Sequence, residues 1–250
     1  YYKIIQNNQI NYTRKLNKHT ATIIAGSEIL KEKTETLSVS VYNVSHPYFT
    51  EISQFQNVYT SGWAGGYTVH TLASFYSILN YDFDNKYFVD LSFRTDGDSR
   101  LAVGNQWRQF WSVGAQWNLK KENFLMEFEP ISGAKFRANI GSQGNSNVDD
   151  YIARGSYSFG TYMGNSASQP SNIGDDLLTW EKTTSYSIGT DMSFLNNRIR
   201  TSIDLYKRDT KNLFFSVPIT LTSGLSSRLR NTGEMYNKGI EISIGGDILR

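Results

Sequence analysis

The chain has 250 residues, no cysteine, 25 basic against 23 acidic residues and a mean hydropathy of −0.44 despite 14% aromatic residues. Without cysteine, disulfide frameworks, thiolate metal sites and cysteine nucleophiles are excluded. The near-balanced charge contains no block suited to nucleic acid, and no stretch reaches the roughly 20 apolar residues of a transmembrane helix. A Tyr-rich chain that is polar on average suits a β-barrel wall, where every second residue faces lipid and the others face a wet lumen, so the two populations cancel. A soluble β-sandwich alternates too, and the spacing of the strands must separate the two.

The chain opens at Tyr1-Tyr2-Lys3-Ile4 with neither Met nor signal peptide and stops at Asp247-Ile248-Leu249-Arg250 in an expected turn, so both ends are read as cut. Between them, period-two alternation marks about nine strands. Short turns are expected near Asn17-Lys18-His19 and Asp82-Phe83-Asp84-Asn85. Trp111, Val113, Ala115, Trp117 and Leu119 then alternate with Ser112, Gly114, Gln116 and Asn118, and a slightly longer turn covers 120–128. Ala134, Phe136, Ala138 and Ile140 alternate with Lys135, Arg137, Asn139 and Gly141. The clearest hairpin follows. Tyr186, Ile188, Thr190, Met192 and Phe194 form one face of a run that turns through Leu195-Asn196-Asn197 into Ile199, Thr201, Ile203 and Leu205, which are opposed by Arg200, Ser202, Asp204 and Tyr206.

Long segments at 34–65, 97–106, 143–177 and 213–233 separate these units and are expected to be loops. Short connections alternating with long ones are the asymmetry of outer-membrane barrels, with tight periplasmic turns and long extracellular loops. Tyr87, Trp111, Trp117, Tyr186 and Phe194 stand near strand ends on the apolar faces, where aromatic girdles are expected. The fold expected is all-β, a transmembrane antiparallel barrel. An odd strand count leaves such a sheet open, so the rest of the barrel is expected outside this chain.

Several blocks are similar to a known family. Tyr81-Asp82-Phe83-Asp84-Asn85-Lys86-Tyr87, Arg94-Thr95-Asp96-Gly97-Asp98-Ser99-Arg100 and the run from Trp107 to Trp117 resemble, in order and spacing, a stretch of the SusC/RagA family of TonB-linked outer-membrane proteins. Lys135-Phe136-Arg137-Ala138-Asn139-Ile140-Gly141 with Gly144-Asn145, Leu178-Thr179-Trp180-Glu181-Lys182-Thr183, and Asn231-Thr232-Gly233 with Asn237-Lys238-Gly239-Ile240-Glu241 resemble further family blocks. The resemblance runs from about Tyr67 to the end and more weakly over the hairpin before it; Trp111 stands where the family usually has Pro, and Asp98 where it usually has Ser. It implies a 22-stranded barrel in which residues 1–250 are one part of a single barrel domain, with the plug domain and the closing strands elsewhere.

Read on their own chemistry, Arg94, Asp96, Asp98 and Arg100 place opposite charges where a strand meets a loop, able to knit the rim, and Gly97 is expected to supply a backbone conformation that a β-carbon disfavours. Gly141, Gly144 and Asn145 are read as a loop exit, and Gly233 and Gly239 as brackets of a loop entry. Arg94, Arg137, Asp191, Arg200 and Asp204 are expected to face the lumen; Trp117, Trp180, Glu181 and Lys182 are read as mainly structural motif residues. His19, His46 and His70 fall in a turn, a loop and a strand without metal-ligand spacing. The acid pairs Asp149-Asp150 and Asp175-Asp176 are plain loop acids with calcium as the other reading, and Gly62-Trp63-Ala64-Gly65-Gly66, lacking the Lys-Ser/Thr of a phosphate loop, reads as a flexible loop tip. No catalytic constellation and no cofactor are expected.

What the resemblance implies is TonB-dependent import of large nutrients, oligosaccharides or oligopeptides, across a Bacteroidetes-like outer membrane. Its expected partners are a SusD-like surface lipoprotein, TonB acting through an N-terminal region outside this chain, and membrane lipid. The long segments 34–65 and 143–177 are expected to touch the lipoprotein or the ligand. The alternatives are a metal-chelate receptor with the same barrel and no lipoprotein, a barrel serving as structural subunit of a larger assembly or secretion complex without transport, and a soluble adhesin sandwich.

Overall fold

The computed structural model describes residues 1–39, 48 and 63–247. Among the described residues, nine strands form one antiparallel sheet: β1 (Tyr2–Leu16), β2 (His19–Val39), β3 (Trp63–Phe83), β4 (Tyr87–Asp98), β5 (Trp107–Asn118), β6 (Ile131–Asn145), β9 (Glu181–Phe194), β10 (Ile199–Pro218) and β11 (Ser227–Gly246), paired in that order. The two intervening strands, β7 (Ser156–Tyr162) and β8 (Asn165–Asn172), form a separate hairpin inside the connection from β6 to β9. Every pairing along the chain is between sequence neighbours except at that insertion, as in an up-and-down wall.

The tight ends are set by residues that accept left-handed backbone. Leu16 pairs with His19, leaving Asn17 and Lys18 as the loop, with Asn17 at φ 51°. Asp84 and Asn85 are both at positive φ, and the Asp82 carboxylate accepts from the Asn85 N–H at 2.8 Å. Leu195, Asn196 and Asn197 are all left-handed between β9 and β10. Asn and Asp tolerate this region at low cost. The longer connection from β5 to β6 contains one helical turn, α1 (Asn123–Met126).

Cross-strand partners share a face, so the register reads out the two sides of the wall. One row runs Leu79, Leu91, Val113, Ile140 and Tyr186. The row three residues further down β5 runs Gln116, Arg137, Gly189, Asp204 and Glu241 on the opposite face. The apolar face is the exposed one: Leu91, Val113, Ile188, Ile203 and Ile242 are all solvent-accessible without a packed layer over them. Rings edge this face. Phe83, Tyr87 and Trp117 stack side by side at 6.2 Å near the short turns, and Phe75 stacks on Trp107 at 6.3 Å near the other end. Trp107 and Trp117 bound the outer face of β5; at about 3.3 Å per residue they are ~33 Å apart along the strand, or ~25 Å in height at the usual barrel tilt. That is the height of the apolar band of a transmembrane barrel.

The strands run further than the alternation predicts. Of the expected loop 34–65, residues 34–39 belong to β2 and 63–65 to β3, with Leu37 and Thr36 paired to Gly65 and Gly66; the supposed glycine-rich loop tip is therefore strand from Trp63 onward, and Gly62 lies outside the described residues. Of the expected loop 97–106, Gly97 and Asp98 belong to β4. Residues 143–145 lie in β6, and 213–233 shrinks to a connection at 219–226 between β10 and β11. The buried apolar cluster is Leu101, Ala102, Phe110, Ala153, Leu178 and Trp180. Phe110 is the register partner of inward-facing Arg94, so the cluster packs on the inner face, at the long-loop end.

Candidate functional site

Two arginines organise the inner wall. Arg94 on β4 donates from Nε to Asp96 at 2.5 Å and from Nη2 to Ser74 of β3 at 2.8 Å, and pairs with Glu28 of β2 at 3.6 Å. Arg137 on β6 lies over Gly189 of β9 and reaches two strands away: its Nε is 2.9 Å from Asp191, and Nη2 donates to Asp204 of β10 at 3.0 Å. A side chain at Gly189 would occupy the space of the Asp204 carboxylate. Arg137 and Asp191 keep about 40% of their side-chain surface accessible, so these ions sit in a wet environment and are not a buried core. Arg200 lies nearer the short turns and pairs with Asp247 at 3.3 Å. Arg94, Arg137, Asp191, Arg200 and Asp204 thus share the inner face, in two separate groups plus one outlier near a turn.

At the rim, two buried carboxylates anchor loops. Asp98, at the end of β4 with a fully buried side chain, accepts from Ser146 Oγ at 2.6 Å, from the Arg100 guanidinium at 2.9 Å and from the Arg100 N–H at 2.9 Å, and contacts His70 Nε2 of β3 at 3.1 Å. Burial pushes its carboxyl up, and the hydrogen bonds from Arg100 and Ser146 more than offset this, holding it below the usual carboxylate range. Ser146 Oγ gives its proton to the carboxylate and not to His70, so the trio is no nucleophile–base pair. Asp175 is also buried, held between Arg228 at 2.9 Å and Arg230 at 3.2 Å of β11. Its charge is matched by two guanidinium groups, which is the opposite of a free calcium ligand.

The remaining motif residues fasten the same region. Trp180 is buried, stands edge-on to Phe110 at 5.5 Å and donates from Nε1 to the Gln106 carbonyl at 2.7 Å. Glu181 accepts from Asn145 Nδ2 and from the Phe214 N–H, both at 2.7 Å, tying β6, β9 and β10. Lys182 pairs in register with Gly144 and Lys211. Trp117 is at the other end of the wall, where Glu122 accepts from its Nε1 at 3.1 Å and from Tyr87 Oη at 2.6 Å. The bond from Tyr87, then that from Trp117, lowers the Glu122 pKa and fixes the polar edges of the ring row against the turn.

The glycines act differently from the sequence reading. Gly97 has ordinary extended backbone within β4, and what it supplies is room: a β-carbon there would sit 2.6 Å from the Trp107 indole. Gly144 and Asn145 are the last two residues of β6, at the exit into the long connection, whereas Gly141, Gly233 and Gly239 lie inside β6 and β11; Gly141, Gly144, Gly233 and Gly239 each face a neighbouring side chain, respectively Ser112, Phe110, Phe215 and Tyr206. His19 is the first residue of β2, with Nδ1 2.7 Å from Tyr81 Oη, and His46 lies outside the described residues. Sequence reasoning does not single out Ser146, Arg228, Arg230 or Asn231 as anchors. Asn231 bonds Thr179 through both its amide oxygen and nitrogen, each at 2.8 Å, and the Asn212 carbonyl at 2.7 Å. Its place at the head of a family block is the available signal.

An antiparallel wall, greasy and ring-edged outside and charged and wet inside, is that of a transmembrane β-barrel. The chain belongs to the TonB-dependent receptor-like β-barrel family, whose model matches residues 3–250, and within it is of the SusC/RagA type. It is 30% identical over its whole length to TonB-dependent receptor P39 of Formosa agariphila, covering 24% of that protein. It is 36% identical over 189 residues, 71% of the chain, to TonB-dependent receptor SusC of Bacteroides thetaiotaomicron, covering 18% of it. Among solved structures, the RagAB peptide transporter matches 99% of the chain at TM-score 0.91 and 26% identity, over 28% of that chain. The siderophore receptor PirA from Acinetobacter baumannii shares the fold alone, at TM-score 0.62 and 15% identity. The chain therefore spans about a quarter of the length of the relatives it matches. The family is one of outer-membrane β-barrel receptors and not of enzymes.

Proposed function

We propose that this chain is a section of the barrel wall of an outer-membrane importer that takes up oligosaccharides or oligopeptides together with a SusD-like surface lipoprotein, driven through TonB. The observation that carries this reading is the inner face: ion pairs such as Arg137 with Asp204 line it while remaining accessible to water, as the wall of a solute pathway requires. Nine strands pair in one sheet without β1 meeting β11, which supports a barrel much wider than nine strands, with its closing strands and plug outside residues 1–250. Lumen-facing Arg94, Arg137, Asp191, Arg200 and Asp204 would line the pathway or hold the plug. The likeness to the RagAB peptide transporter and to SusC supports a lipoprotein-assisted route in a Bacteroidetes-like outer membrane.

The test is to purify the full-length protein from outer membranes in mild detergent and identify what accompanies it by mass spectrometry. A stoichiometric surface lipoprotein with bound oligopeptide or glycan supports import and names the substrate class. A large assembly lacking both overturns it in favour of a structural subunit.

A further inference from the structure

The outer face changes character at one level across three strands. Ile188, Leu205 and Ile240 are register partners and form the last apolar row; the next outward row is Tyr186, Lys207 and Lys238. A shallow groove of about 540 Å³ lies over these six residues. Lys207 stands eight residues beyond Ile199 on β10, ~26 Å along the strand at about 3.3 Å per residue and ~20 Å in height at the usual tilt. The row therefore lies ~5 Å inside the long-loop edge of an apolar band ~25 Å high, close enough for lysine side chains to snorkel to the border and for the Tyr186 hydroxyl to approach headgroup level.

Two lysines directly opposite one another on antiparallel strands repel. Lys207 is partly compensated by Asp209 at 2.7 Å, while Lys238, which is exposed, has no ion partner among the described residues. Asp209 supplies one negative charge to the pair, leaving the row net positive above a floor of three aliphatic side chains. A neutral lipid would satisfy the floor alone and a soluble anion the lysines alone; a lipid with a phosphorylated headgroup satisfies both. We propose that this groove binds a phosphorylated lipid of the outer leaflet, its phosphate between the ammonium groups of Lys207 and Lys238 and the start of an acyl chain across Ile188, Leu205 and Ile240. The inference rests on the transmembrane placement of the barrel and is independent of what the protein imports.

The experiment uses the full-length protein in phosphatidylcholine nanodiscs doped with equal small amounts of lipid A and of dephosphorylated lipid A, with retained lipid counted by native mass spectrometry after detergent release. Wild type is expected to retain the phosphorylated form preferentially, and Lys207→Gln with Lys238→Gln to reduce the preference by about fivefold per lysine. Lys211→Gln, in a row further out and paired to Glu234 at 3.8 Å, is expected to leave it unchanged. Heat-dependent gel migration reports that each variant still forms a barrel. If the double variant fails to assemble, Lys238→Gln alone, which loses no ion partner in the described structure, gives the reading. Equal retention of the two lipids by wild type, or an unchanged preference in the lysine variants, overturns the proposal.

Discussion

At the scale of single residues, the inner wall is organised by where side chains are missing. Arg137 reaches Asp204 across β9 because Gly189, the residue between these two in the register, leaves the path clear, and Asp191 lies two residues along β9 from that glycine. Gly189→Val is therefore expected to expel the Asp204 carboxylate from its position and to destabilise the wall by ~1–3 kcal/mol, the range of overpacking substitutions. Gly114→Ala is the matched control, since its β-carbon would meet Asp90 at an ordinary 3.7 Å. The measurement is the temperature at which each full-length variant loses its compact migration on a gel. Equal temperatures for Gly189→Val and wild type would show that space is not what the glycine provides. Gly97 is visible in the sequence as a motif member, but the reason for it is not, because its partner Trp107 is a cross-strand neighbour on β5. Register, and hence which ring lies over which glycine, is set by pairing that single-chain spacing does not disclose.

At the scale of elements, the rim is held by charge. Asp98 fastens the strand β4 to Ser146 at the start of the long connection and to His70 of β3, and its carboxyl is held below the ordinary range. A depressed pKa contributes stability that is full above the unfolded value of about 3.9 and is lost as pH falls through the lower folded value. Amide exchange over residues 146–155, corrected for intrinsic rates, is therefore expected to be slow from neutral pH down to about pH 4 and to accelerate below it. Asp98→Asn, which leaves Arg100 without its carboxylate, is expected to cost ~3–5 kcal/mol locally and to expose the same segment already at neutral pH. Protection that persists at about pH 2 in wild type, well below the ordinary carboxylate range, would remove the carboxylate from the account. The elements most poorly read from sequence are the upper halves of the strands. Lys31, Lys33 and Glu35 share the outward face of β2 with Ile23 and Ile29 below them, so the apolar alternation stops at the edge of the lipid although the hydrogen-bonded ladder continues. The β7–β8 hairpin escapes the sequence reading because its turn is Met163-Gly164, both left-handed, in place of the Asn-Gly that announces such a turn.

At the scale of the whole molecule, the fold is legible because two independent regularities agree: alternation across the wall and alternation of short with long connections along it. Both follow from the bilayer, which demands a greasy outside, satisfied backbone and unequal ends. The assignment of faces can be tested on β10 in the full-length protein, where the absence of cysteine from these 250 residues leaves introduced thiols as the sole ones in the segment. Spin labels at Ser202→Cys and Tyr206→Cys are expected to collide with an aqueous nickel chelate, and labels at Ile203→Cys and Leu205→Cys with oxygen dissolved in the lipid. The oxygen signal should peak near Ile203 and fall by Lys207, where the outer face turns charged. A packed soluble sandwich predicts shielding of the apolar positions from both reagents, so oxygen-accessible labels at 203 and 205 flanked by wet ones at 202 and 206 distinguish lipid from a protein core residue by residue.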